Sequence, residues 1–111
     1  MKQQFSGKTV IVTGAAHGFG RAIAVAFAER GAKVWACDLL ETELQETGRL
    51  AAAAGGPCTV RAVDVSDKAA VDRFVAEAAG KARVDILVNN AGGVLGQVGR
   101  ALEEVTSEEW Q

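Results

Sequence analysis

The chain is poor in several residue types, and each shortage narrows what it can be. It has one proline, two cysteines, one histidine and no tyrosine in 111 residues. With 49% hydrophobic and 23% charged residues, the composition is that of a globular chain, not a disordered one. No apolar run approaches the ~20 residues that a bilayer span needs. No apolar signal core follows Lys2, so a cytoplasmic location is expected. No stretch is strongly basic and the net charge is −2, which argues against a nucleic-acid surface. The cysteines, Cys37 and Cys58, lack CxxC spacing, and no metal site is expected.

Glycine is plentiful, with 13 residues, and its placement matters more than its number. Lys8 to Thr13 is rich in β-branched residues and stops at Gly14, as a strand would. From Gly18 to Arg30 the period becomes helical, with Ala22, Ile23, Ala26 and Phe27 as the expected apolar face and Gly31 as terminator. Lys33 to Cys37 reads as a second strand, followed by Asp38. A second helix is expected over Leu40–Ala54, with Leu40, Leu44 and Ala51 along its buried side and Gly55-Gly56-Pro57 as its stop. Thr59–Val63 reads as a third strand. Val71, Phe74, Val75 and Ala78 mark a third helix. Asp85–Val88 reads as a fourth strand, apolar enough for burial on both faces.

The alternation β-α-β-α-β-α-β predicts an α/β fold, with a doubly wound parallel sheet, right-handed crossovers and helices on both faces. No linker or repeat interrupts it, so residues 1–111 read as one domain. On this layout Cys37 ends one strand and Cys58 begins its parallel neighbour. A five-residue strand is roughly 17 Å long, and a disulfide needs Cα atoms within about 7 Å. Two free, mostly buried thiols are expected. Trp35 is expected to pack against a helix.

Thr106-Ser107-Glu108-Glu109 is a capping box, the signature of a helix start. The sequence given stops two residues further on, and so short a helix does not sustain itself. The expectation is a part of a longer protein, cut at the start of its fourth helix.

The chemistry-bearing positions cluster at the carboxyl ends of the predicted strands, where open α/β sheets bind ligands. Between strand one and helix one stands Thr13-Gly14-Ala15-Ala16-His17-Gly18-Phe19-Gly20. Glycine there allows a sharp turn and close approach of backbone to a phosphate, and the helix N-terminus offers free N–H groups and a positive dipole end. Glycine spacing alone is weak support, but a strand before it and a helix after it supply the required context. Asp38 follows strand two, 18 positions beyond Gly20, where a carboxylate accepts both ribose hydroxyls and repels a 2′-phosphate. Its plainer reading is an N-cap for helix two. Leu39 stands where an NADP site often places a basic side chain. Asp64, followed by Val65, has two readings after strand three: a hydrogen-bond acceptor for an adenine amino group, or a turn residue. Asn89-Asn90-Ala91-Gly92 follows strand four, and the winding places Asn90 to Gly92 opposite the glycine loop.

Together these residues resemble the short-chain dehydrogenase/reductase family over essentially the whole chain. The family's Thr-Gly-x-x-x-Gly-x-Gly is matched by Thr13, Gly14, Gly18 and Gly20. Its Asn-Asn-Ala-Gly is matched by Asn89 to Gly92, and its acidic residue after strand three by Asp64. The resemblance implies a Rossmann-type three-layer fold of which these are the first four strands. It implies cofactor contacts at Gly14, His17, Gly18, Phe19, Gly20, Asp38, Leu39, Asp64, Val65, Asn90, Ala91 and Gly92. NAD is the expected cofactor rather than NADP, with Asp38 selecting it. His17 and Phe19 depart mildly from the family pattern, which has a small residue or arginine at the first and isoleucine at the second. A protonated His17 would tolerate NADP; as a lone histidine it reads more plainly as a loop residue.

The family's general acid–base tyrosine, with its lysine four residues on, has no counterpart, since the sequence has no tyrosine. Ser107 sits at a helix start, too early to be the catalytic serine, so no catalytic residue is assigned. The resemblance implies an NAD(H)-dependent oxidoreductase on a small-molecule alcohol/carbonyl pair, in the manner of 3-oxoacyl carrier-protein reductases or polyol dehydrogenases. It implies a homo-oligomer, tetramer or dimer, when complete. The 111 residues alone would be inactive. The competing reading is a dinucleotide-binding module without chemistry.

Overall fold

The computed structural model describes residues 4–80 and 83–90. The expected contacts at Ala91 and Gly92, the glycine-rich stretch from Gly93 to Gly99, the capping box and Trp110 lie outside the described residues.

Seven elements alternate along the described residues: β1 (Thr9–Thr13), α1 (Gly18–Glu29), β2 (Lys33–Asp38), α2 (Glu41–Ala54), β3 (Cys58–Ala62), α3 (Lys68–Ala79) and β4 (Ile86–Asn89). The strands form one parallel sheet in the order β3-β2-β1-β4. β1 is flanked on both sides, and all five of its residues are buried. The side-chain period of two then sends alternate residues to opposite faces. Val10 and Val12 join Val34, Ala36 and Val88 in a cluster with Ala24 and Ala28 of α1 and Leu44 and Ala51 of α2. Ile11 joins Cys37 and Val63 in a second cluster with Phe74 and Ala78 of α3. The chain winds outward from β1 to β3, then returns past β1 to β4. With crossovers of one hand, that reversal places α3 on the face opposite α1 and α2. The result is the three-layer, doubly wound α/β arrangement expected from the sequence.

Two helix faces differ from the sequence reading. In α1 the buried stripe is Gly20, Ala24 and Ala28, with Ile23, Ala26 and Phe27 half-buried and Ala22 exposed. Small residues spaced by four let the helix lie close against the sheet, and the larger apolar side chains pack at its flanks. In α2 the expected apolar Leu40 is the N-cap and 44% exposed, while Thr47 is fully buried between Leu44 and Ala51. Hydrophobicity alone does not select a threonine for the core. Thr47 is there because its hydroxyl has partners in the first loop.

Strand boundaries move by a residue or so. β4 starts at Ile86 because Asp85 is occupied at the sheet's entrance: its Oδ2 accepts from the Thr9 backbone N–H at 2.8 Å, and its own N–H donates to the Thr9 carbonyl at 2.9 Å. As an edge strand among the described residues, β4 has Val88 buried but Ile86 and Leu87 only half-buried. Register puts Val34 beside Cys58 and Cys37 beside Arg61, so the thiols are three positions apart along the strands and both are free. Trp35 meets the Phe74 ring of α3 edge-on at 6.2 Å, and the Arg61 guanidinium lies 5.7 Å from the Trp35 ring centroid. Among the described residues no helix is long and apolar enough to cross a membrane.

Candidate cofactor-binding site

A cleft of about 440 Å³ opens at the carboxyl ends of the strands. The β1–α1 loop contributes Gly14, His17, Gly18 and Phe19 to its wall; Asp38 and Leu39 come after β2, Val63 and Val65 after β3, and Asn90 after β4. Residues from four separate loops thus meet in one place.

The loop is shaped by glycine. Gly14 and Gly18 both have φ of +64°, a region that side chains with Cβ rarely enter. Gly20 has an ordinary φ but no room: a Cβ there would stand 1.9 Å from the Gly14 carbonyl oxygen. It does not line the cleft. Its part is to let the first turn of α1 close on the loop that does.

His17 is the N-cap of α1, in extended conformation, and its side chain makes no capping hydrogen bond. The first turn carries no acidic residue. The helix end therefore keeps free N–H groups and a positive dipole for an anionic ligand. α3 differs, because its Asp67 caps the Ala70 N–H at 3.2 Å.

Asp38 is half-buried and fixed by two backbone donors. Its Oδ2 accepts from Ala16 N–H at 3.0 Å and its Oδ1 from Leu40 N–H at 3.1 Å. The second bond makes a local turn ahead of α2, while the N-cap position itself belongs to Leu40, so the simple N-cap reading does not hold. A carboxylate offers about four lone-pair positions. Two backbone bonds leave it able to accept ligand hydroxyls.

Asp64 does not line the cleft. Its Oδ1 accepts from the Ser66 hydroxyl at 2.6 Å and the Ser66 N–H at 2.9 Å, and these bonds hold its carboxyl below the usual carboxylate range. The turn is the role that its geometry displays. The apolar neighbours Val63 and Val65 face the cleft instead.

Asn90 joins the fourth strand to the glycine loop. Its backbone N–H donates to Thr13 Oγ1 at 2.9 Å, and its Nδ2 donates to the Gly14 carbonyl at 3.2 Å. Thr13 Oγ1 also lies 3.2 Å from Asn89 Oδ1. The two loops predicted to face one another across the switch point are thus hydrogen-bonded together.

Beside the cleft, and sharing Val63 and Val65 with it, lies an apolar cavity of about 170 Å³ between the sheet and α3. Cys37 lines it. Burial, with the Asp38 carboxylate adding to the effect, pushes its thiol up to about 12.

Sequence reasoning missed two polar residues behind the loop. Thr47 of α2 places its hydroxyl 2.7 Å from the Ala15 carbonyl and 3.2 Å from that of Ala16. Arg21 Nε donates to that hydroxyl at 2.9 Å. The available signal was a threonine on the buried side of α2, between Leu44 and Ala51.

A parallel sheet ordered 3-2-1-4, with a glycine turn at its switch point, defines a Rossmann-type α/β unit. The chain belongs to the short-chain dehydrogenase family, whose sequence model matches residues 8–111. Members of that family bind a nicotinamide dinucleotide. The hydroxyacyl-CoA dehydrogenase ChsB1 of Mycobacterium tuberculosis is 40% identical over 110 residues, which cover 95% of this chain and 34% of that protein. The sorbitol dehydrogenase of Cereibacter sphaeroides is 44% identical over 91 residues, covering 79% of this chain and 34% of that protein. The crystal structure of a short chain dehydrogenase from Mycobacterium smegmatis matches with a TM-score of 0.71 at 37% identity, covering 79% of this chain and 38% of that one. The chain thus spans little more than a third of the length of these proteins.

Proposed function

We propose that residues 1–111 are the dinucleotide-binding part of an NAD(H)-dependent oxidoreductase that acts on a small-molecule alcohol/carbonyl pair. The observation that carries the choice of cofactor is Asp38. Its carboxylate stands at the end of β2, on the wall of the cleft, held by Ala16 and Leu40 and followed by the exposed Leu39. A negative charge there accepts a 2′,3′-diol and repels a 2′-phosphate, and Leu39 supplies no compensating cation.

The residues suit such a ligand. The uncapped end of α1 and the turns at Gly14 and Gly18 offer backbone N–H groups to a pyrophosphate. Leu39, Val63 and Val65 offer an apolar wall to an adenine ring, with Asp64 close by in sequence as an acceptor for its amino group. Phe19, 82% exposed, borders the extended ligand, and Asn90 holds the far side; Ala91 and Gly92, which follow it in the family motif, are read as further cofactor contacts. A bound nicotinamide would supply the hydride acceptor or donor. The acid–base residues belong to the remainder of a longer polypeptide, so these residues alone carry no turnover. The complete protein is read as a cytoplasmic homo-oligomer.

The test is a titration of the full-length polypeptide with NADH and with NADPH, followed by fluorescence. Tighter binding of NADH is expected. Asp38→Ala should narrow that preference by about tenfold, the scale of a lost charge-assisted hydrogen bond. Equal affinity of the unaltered protein for both would refute the assignment. Dinucleotide binding without turnover on any alcohol or ketone would favour a binding module instead.

A further inference from the structure

Resting on that reading, we infer that Thr47, held by Arg21, is a positioning residue that aims the backbone of the glycine loop at the cofactor.

Thr47 belongs to α2 and its side chain is fully buried. A threonine inside a helix ordinarily bonds the carbonyl four residues back. Here that carbonyl, of Glu43, is 3.4 Å from Thr47 Oγ1, and Arg21 Nη2 donates to it at 2.8 Å. Arg21 thus satisfies the helix carbonyl and leaves the hydroxyl hydrogen of Thr47 for the loop. The same guanidinium donates through Nε to the hydroxyl oxygen at 2.9 Å, which sets the rotor. The hydroxyl's one hydrogen then goes to the Ala15 carbonyl at 2.7 Å, with the Ala16 carbonyl 3.2 Å away.

The peptide plane carries the consequence. No cis peptide bond occurs among the described residues. In a trans peptide the C=O and the following N–H point in opposite directions. With the Ala15 carbonyl turned to Thr47, the Ala16 N–H points the other way and meets Asp38 Oδ2 at 3.0 Å. With the Ala16 carbonyl also turned to Thr47, the His17 N–H points away from α2. No acceptor takes it among the described residues, and His17 lines the cleft. Thr47 and Asp38 therefore grip the Ala15–Ala16 peptide from its two sides, and the next N–H is left for ligand phosphate. Neither Arg21 nor Thr47 lines the cleft, so any effect on the ligand passes through the loop.

The experiment is an NADH titration of the full-length protein, with a thermal melt of each variant alongside. Thr47→Val keeps the shape and removes the hydroxyl; Thr47→Ser keeps the hydroxyl and removes the methyl. The expected result is a Kd about tenfold weaker for Thr47→Val and within about twofold of the unaltered protein for Thr47→Ser. Equal weakening in both would assign the effect to methyl packing and overturn the inference, as would an unchanged Kd in Thr47→Val. Arg21→Met is the second variant should Thr47→Val not fold. A severalfold weaker Kd is expected, and an unchanged one overturns the inference. If the unaltered protein binds neither NADH nor NADPH, the proposed function itself fails. If it binds and only the variants behave otherwise, the positioning role fails alone.

Discussion

Asn90 Nδ2 donates to the carbonyl of Gly14 at 3.2 Å, across 76 positions of sequence. That bond, with the one from Asn90 N–H to Thr13 Oγ1, closes the gap between the first and fourth strand ends, where the winding of the sheet reverses. Thr13→Val keeps the volume and removes the acceptor. It should lower stability by about 1–3 kcal/mol, the cost of leaving a half-buried N–H unpaired. A urea titration of the full-length protein measures it, and an unmoved midpoint would mean that the bond contributes nothing.

Glycine at position 20 is needed for space. Gly20→Ala would place a Cβ 1.9 Å from backbone oxygen, which cannot yield as a side chain does. A loss of about 3 kcal/mol or more, with loss of NADH binding, is expected. Gly48 supplies the contrast. A Cβ there meets only the Val60 side chain, Cγ1 at 3.1 Å and Cγ2 at 3.9 Å. Helix propensity favours alanine by about 1 kcal/mol, so Gly48→Ala should change stability by no more than about that amount. Comparable losses in the two variants would contradict this account of the loop.

Leu39 is 64% exposed on the cleft wall, directly after Asp38. Asp38→Ala/Leu39→Arg in the full-length protein should remove the repulsion and supply a cation for a 2′-phosphate. Its NADPH affinity should rise by about tenfold over Asp38→Ala alone, and the gain should shrink in high salt. A gain indifferent to salt would point away from charge recognition.

The two thiols should be unreactive in the native state. Burial pushes Cys37 up to about 12 and Cys58 to about 11, from an ordinary 9.0. At pH 8 a disulfide reagent should label both quickly only after unfolding. The sign of the linked stability follows. Folded thiols hold their protons more tightly than unfolded ones, so their contribution is complete below about pH 9 and is lost as pH rises towards 12. The melting temperature should fall over that range, and replacing both cysteines by alanine should reduce this part of the slope. A slope unaffected by the replacement would place its origin elsewhere.

The order of elements and the glycine turn were legible because both are written in local chemistry. β-Branched runs such as Thr9 to Thr13 prefer extended backbone, and glycines at 14, 18 and 31 accept a positive φ. The helix faces were less legible. Ala22 and Leu40 looked apolar and stand exposed, whereas Thr47 looked polar and is buried. Hydrophobic period locates a stripe only to within a residue or two, and it is blind to a polar group whose partners come from another loop. Asp38 was legible as a position and only half legible as a role, because its bond to Ala16 N–H spans 22 residues.

The sequence by itself determined which backbone shapes the described segments could take: four short strands, three helices and a loop that only glycine can turn. It also determined which charges stand at the strand ends, because those depend only on neighbours along the chain. Only the tertiary structure decided that Thr47 grips the loop, that Asn90 reaches Gly14, and that Val63 rather than Asp64 faces the cleft. Those partners are chosen by how a twisted sheet and its helices pack. That choice balances the burial of apolar area against the need to pair every buried donor and acceptor across the whole molecule.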